Sequence, residues 1–301
     1  DGEIPLTPAD FDRAFTEQEL REDLDFLART LEEVHVDPYR HRSSEEFRRD
    51  LDRLLEGNEQ PITRRTLYAE LAPVVARLRD GHTNLELMLD EINYKVQQGE
   101  RWFPLTVRID GPKAWTTTAF GDAPVIGADT ELVAINGIPA EDLITELTSC
   151  VSSESPLHRV ETVESWFPFY LWQSYGFEDR FEVRLRDPGS GETITRTLDG
   201  IPYGAIRERQ GERETGPTVG PFSFSMDTAK STGLLRVDQF VEQDRFRGFL
   251  EQSFASLRES GIEHLIIDLR QNGGGSTDVS NELLRYLAAE PVRNFARFEL
   301  K

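Results

Sequence analysis

The chain has 301 residues, 38% of them hydrophobic, and its 55 acidic against 34 basic side chains leave a net charge of −21. The length exceeds that of a typical single domain, so two or three modules are expected. The acidic excess excludes nucleic acid and anionic membrane surfaces as partners, and no apolar run is long enough to span a membrane.

The first residues carry no signal-peptide pattern. Cys150 is the one cysteine, so neither a disulfide framework nor a cysteine metal cluster is available. It lies in an apolar helical stretch with Leu143 and Leu147 and is expected to be a buried structural thiol. The histidines (His35, His41, His82, His158 and His264) are scattered without H-E-x-x-H spacing, which argues against a metal enzyme. The bases are nearly all arginine. Acid excess with scarce lysine fits a salt-adapted protein and an ordinary acidic one equally.

The first third reads as helical. Thr16-Glu17-Gln18-Glu19 is a capping box, followed by Leu20, Leu24, Leu27, Leu31 and Val34 at spacings of four and three. Ser43-Ser44-Glu45-Glu46 opens a second helix carrying Phe47, Leu51, Leu54 and Leu55. A third runs from about Thr63 through Leu67, Leu71, Val74, Val75 and Leu78, tolerates Pro73, and ends at Gly81. The three stripes can bury one another as a small bundle. Thr83 to Leu87 alternates as a strand. Residues 1–90 are thus expected to be a helical domain with a following strand.

Residues 100–200 read as β-rich. Phe103, Leu105, Val107 and Ile109 alternate, Glu131 to Ile135 form a strand, and Asn136-Gly137 is a turn signal. Pro139 and Ala140 then open a helix through Leu143, Ile144 and Leu147. The aromatics between Trp166 and Phe177 have no basic residues interleaved and read as core or interdomain packing, with a substrate wall as the lesser alternative. Phe181 to Arg186 and Glu192 to Leu198 flank Asp187-Pro188-Gly189-Ser190-Gly191 as a hairpin. A linker is placed at 201–218, its polar part running from Arg207 to Thr218.

Residues 219–301 open an α/β domain. Leu234, Leu235, Val237 and Phe240 mark a strand, Phe246 to Leu257 a helix, and Leu265 to Leu269 a buried strand, which together make a parallel βαβ crossover. Asp268-Leu269-Arg270-Gln271-Asn272-Gly273-Gly274-Gly275 follows, and then a helix with Thr277 or Asp278 as N-cap and Val279, Leu283, Leu284 and Leu287 on one face. A glycine turn ahead of a helix presents backbone N–H groups to something negative. It equally serves as a plain strand–helix turn; a phosphate site is disfavoured, because neither G-x-G-x-x-G nor Gly-Lys-Ser/Thr is present.

The D-L-R-x-N-G-G-G pattern after an apolar strand resembles the C-terminal processing (tail-specific) peptidase superfamily, which includes the tricorn core protease. In that family this loop supplies a backbone N–H to the oxyanion hole, which implies Gly274 and Gly275 here. Asp80-Gly81-His82-Thr83 resembles the D-G-H-T segment of the tricorn-like branch, which implies His82 as general base. By itself, a histidine past a helix end is more often a partner for the helix dipole. Glu131 to Pro139 resembles the late strand and second helix of a PDZ domain. The implied fold is α+β and multidomain: a helical bundle, a PDZ-like β-rich module, and the start of a crotonase-like α/β peptidase core. The implied function is serine-type proteolysis of a polypeptide substrate without a cofactor; a homo-oligomer and an extracytoplasmic location are compatible with it.

The family's nucleophilic serine and supporting acid lie well downstream of the glycine loop. Ser276 directly follows the glycines, Ser280 falls in the next helix, and no G-x-S-x-G elbow is present. The expectation is therefore an N-terminal portion, inactive by itself. Two rival readings use the same scaffold: a non-enzymatic binder of an apolar ligand, as in a retinoid-binding branch, and an adaptor in which the PDZ-like segment binds peptides by strand addition.

Overall fold

The computed structural model describes residues 7–56, 61–119, 126, 129–177, 179–206, 220–291 and 293. They fall into two compact units, one within residues 1–210 and one within 211–299.

The first unit begins with α1 (Pro8–Phe11), α2 (Glu17–Val34), α3 (Ser44–Leu55) and α4 (Arg64–Ala76). The expected capping box at Thr16 forms, and the start of α3 at Ser43 forms a second one. Thr16 and Ser43 accept from the backbone N–H of Glu19 and Glu46, whose carboxylates take the cap N–H at 2.8 and 2.9 Å. Such a cap stabilises its helix by about 1 kcal/mol. The three longer helices bury Leu24, Leu31, Phe47, Leu51, Leu71 and Val75 against one another.

Two readings of this region are corrected. The fourth helix stops at Ala76, and the left-handed residue after it is Arg79 (φ 58°), not Gly81. Leu78 remains buried, but in a turn in which its N–H bonds the Val75 carbonyl. Thr83 to Leu87 is not a strand. Asn84 spends its amide on the Gly81 carbonyl and on the Ser152 N–H, Met88 N–H goes to the buried Gln173 side chain, and Leu85 packs against two apolar clusters. The alternating pattern is spent on packing, with no ladder partner. The chain then enters α5 (Leu89–Gln97).

The β-rich part comprises β1 (Arg101–Trp102), β2 (Leu105–Asp110), β3 (Lys113–Ala119), β4 (Glu131–Ile135), β5 (Ile138–Pro139), α6 (Ala140–Ser149), α7 (Pro156–Ser165), α8 (Phe167–Tyr175), β6 (Arg180–Arg186), β7 (Thr193–Asp199) and β8 (Ile201–Pro202). The main sheet is antiparallel in the order β2-β3-β4-β6-β7, and β1 pairs with β8. Strand β3 had no reading in the sequence, its Thr116-Thr117-Thr118 run masking the apolar alternation. The β6–β7 hairpin closes as expected, with Asp187 Oδ1 accepting from the N–H groups of Gly189 and Ser190. The aromatic cluster is core: Phe167, Phe169, Tyr170 and Trp172 are buried with Trp102 and Phe103, while Trp166 is half-exposed. Ile201 and Ile206, in the stretch read as linker, belong to this core; residues 207–219 lie outside the described residues.

The second unit contains β9 (Phe222–Asp227), β10 (Thr232–Val237), α9 (Gln243–Glu259), β11 (His264–Asp268) and α10 (Thr277–Leu287). β10 and β11 are parallel, as the βαβ reading requires, and β9 is antiparallel to β10 in a sheet ordered β11-β10-β9. Phe246 and Leu250 from α9 and Val279 and Leu283 from α10 pack on the face carrying Leu235 and Val237. Among the described residues β11 is an edge strand, and Ile266 on its other face is 55% exposed. The N-cap of α10 is Ser276, whose Oγ accepts from Asp278 N–H, rather than Thr277 or Asp278.

Candidate active site

His82 lies in the turn between α4 and α5. Its backbone N–H donates to Asp80 Oδ1 at 2.8 Å, and its Nδ1 stands 3.7 Å from the same oxygen. The imidazole is otherwise fully exposed. Asp80 is held from several sides. Oδ2 meets His35 Nε2 at 2.5 Å, and its backbone N–H and carbonyl both bond Ser152 Oγ. His35 Nδ1 accepts from Asp37 N–H, so the proton facing Asp80 is carried on Nε2. Partial burial pushes the Asp80 carboxyl up, but the His35 bond and the His82 N–H outweigh it and hold the group below its usual range. An ionised carboxylate beside Nδ1 favours the tautomer whose Nε2 lone pair faces outward, the form a general base needs.

Asp80 and His35 were not singled out in the sequence. The signal for Asp80 is its place two residues before a histidine; His35 is 45 positions away from Asp80 and gives none.

The glycine loop is stapled by the polar residues of its motif. Arg270 grips Asp268 with Nε to Oδ1 at 2.9 Å and a terminal nitrogen to Oδ2 at 2.8 Å, which holds that carboxyl at about 2. Asn272 donates to the Val237 carbonyl and accepts from Gly274 N–H at 2.8 Å, and Gly273 N–H bonds the Asp238 carbonyl. Phe240 forms a parallel bridge with Gly275: its N–H takes the Gly274 carbonyl and its carbonyl takes Ser276 N–H. In such a bridge the N–H of the central residue faces the opposite edge. Gly275 N–H accordingly has no hydrogen bond among the described residues, whereas Gly274 N–H is occupied by Asn272.

Both glycines need a positive φ, 97° at Gly274 and 132° at Gly275. Ser276 is a helix cap, and Ser280 Oγ bonds the Thr277 carbonyl within α10. His82 with Asp80 belongs to the first unit and the glycine loop to the second. Among the described residues no group of three His, Cys, Asp or Glu side chains is placed to hold a metal ion, and no helix is long and apolar enough to cross a membrane.

Residues 231–297 match the model of Peptidase family S41, the C-terminal processing peptidases, so the resemblance drawn from the D-L-R-x-N-G-G-G loop holds for the segment that carries it. The fold is similar to that of mature CPAF complexed with lactacystin, with 17% identity, a TM-score of 0.59, and coverage of 89% of this chain and 59% of that one. Mature CPAF gives 18% identity, a TM-score of 0.55, and coverage of 87% and 56%. A serine-to-alanine mutant of CPAF gives 17%, 0.54, and 87% and 57%. The chain thus spans less than two thirds of the length of these structures. No curated protein matches it significantly.

Proposed function

We propose that this chain supplies the general base and the oxyanion loop of a serine peptidase that cleaves polypeptides by acyl transfer. The carrying observation is the family match over 231–297, which contains a glycine loop in which Gly275 N–H has no partner among the described residues. In this reading His82 Nε2 takes the proton from the attacking serine hydroxyl and returns it to the leaving amine, while Asp80 favours the required tautomer. Gly275 N–H donates to the developing oxyanion; Gly274 shapes the loop and reaches the oxyanion only if Asn272 releases it. The nucleophile is sought among residues that this chain does not include, since the similar structures are longer and Ser276 and Ser280 are committed to α10.

The same reading takes residues 100–200 as a PDZ-like module, supported by the antiparallel sheet with α6 packed beside β3 and β4, and residues 219–301 as the opening of a crotonase-like core of the tricorn-like branch. The protein expressed from its full reading frame should hydrolyse fluorescent casein, and a fluorophosphonate probe should label it once per chain and stop the reaction. Hydrolysis that persists after labelling, or peptide binding with no hydrolysis, would overturn the assignment.

A further inference from the structure

In the first unit, one side of α3, the C-terminal ends of α4 and α6, and Arg159 of α7 line an open recess of about 650 Å³. Six arginines and two carboxylates line it, an excess of four positive charges on a chain whose net charge is −21. One of the two acids, Asp50, is shared among three guanidinium groups: Arg42 at 2.8 Å, Arg77 at 2.6 Å and Arg53 at 3.0 Å. The Arg42–Asp50 pair is buried and fixes the floor. Arg49, Arg79 and Arg159 have no ion pair among the described residues. Arg159 is held by two bonds from its guanidinium to the Ser153 carbonyl, at 3.0 and 2.6 Å.

We propose that this recess binds a small oxyanion carrying more than one negative charge, a phosphate ester or a polycarboxylate. Guanidinium forks match planar carboxylate and phosphoryl oxygens two at a time, and Arg49, Arg79 and the remaining Nη1 of Arg159 around a single space suit a ligand with several such groups. The volume is that of a small-molecule site. Burial and the neighbouring Arg79 charge both press the Arg159 guanidinium towards its neutral form, a repulsion that a bound anion cancels. Arg79 also holds a left-handed backbone that a non-glycine residue rarely adopts. A positive recess on a strongly negative surface repels nucleic acid at a distance while drawing in a ligand small enough to enter.

Calorimetric titration of the whole chain with pyrophosphate and with citrate tests this. At least one should bind at micromolar concentration in low salt, and the tighter of the two identifies the phosphate-ester or the polycarboxylate class. The double variant Arg79→Gln/Arg159→Gln should lose about tenfold or more in affinity. Arg21→Gln, which removes an exposed arginine of α2 paired with Glu17, should leave it unchanged. Because Arg159→Gln also removes the two bonds to the Ser153 carbonyl, folding of the double variant is checked by circular dichroism; should it not fold, Arg49→Gln on the exposed side of α3 must still weaken binding. No binding of either anion up to ~10 mM, or an equal loss in Arg21→Gln, overturns the proposal.

Discussion

A Cβ placed on Gly275 would lie 2.3 Å from the carbonyl oxygen of Phe240. That oxygen cannot retreat, because it accepts the Ser276 N–H that starts α10. Gly275→Ala should therefore destabilise the protein by about 3 kcal/mol or more, combining a backbone clash with a φ that L residues avoid. Gly274→Ala meets nothing within 4 Å and bears only the strain of its positive φ, about 1–2 kcal/mol. Urea unfolding of the two variants measures the difference; similar small losses would show that the Phe240 bridge does not pin the loop.

His82→Ala separates chemistry from folding. The imidazole packs on nothing, so stability should stay within about 0.5 kcal/mol of the parent, while turnover of the full gene product should fall ~10²–10⁴-fold. Unchanged turnover would place the base elsewhere.

Asp80 carries a pH signature. Its carboxyl is held below the ordinary value, so its contribution is present above the unfolded pKa of about 3.9 and is lost as pH falls through the folded one. Asp80→Asn should lower stability at neutral pH by about 1 kcal/mol, from a partly exposed charged hydrogen bond. The gap between parent and variant should close as the pH is taken down through the acid range. A gap that stays constant to the lowest pH at which both remain folded would mean that the ionised form does not stabilise this turn.

Cys150 is buried and its thiol is pushed up to about 11, chiefly by burial. A disulfide reagent at pH 8 should leave the native protein unlabelled and react once per chain in denaturant. Immediate labelling of the native protein would contradict the burial.

Much of the fold was legible because it is local. The capping box at Thr16, the helix start at Ser43, the apolar stripes behind them, the Asp187 turn and the βαβ order all depend on residues three or four apart, or on strict alternation. Cys150 was placed correctly for the same reason. The failures share a cause as well. Thr83 to Leu87 has strand alternation, but no partner comes to it among the described residues, and α4 ends before the glycine that seemed to stop it.

The sequence by itself determined which residue types meet at each candidate site: a histidine behind Asp80-Gly81, and a glycine loop bracketed by Asp268, Arg270 and Asn272. Only the tertiary structure decided how they are wired. That Gly275 rather than Gly274 keeps an open N–H follows from the pairing with Phe240 and from the side chain of Asn272. That Asp80 stays ionised beside His82 follows from His35, on another helix end. Hydrogen bonds between distant segments leave no periodic trace in a sequence, because each depends on where a second piece of chain comes to rest.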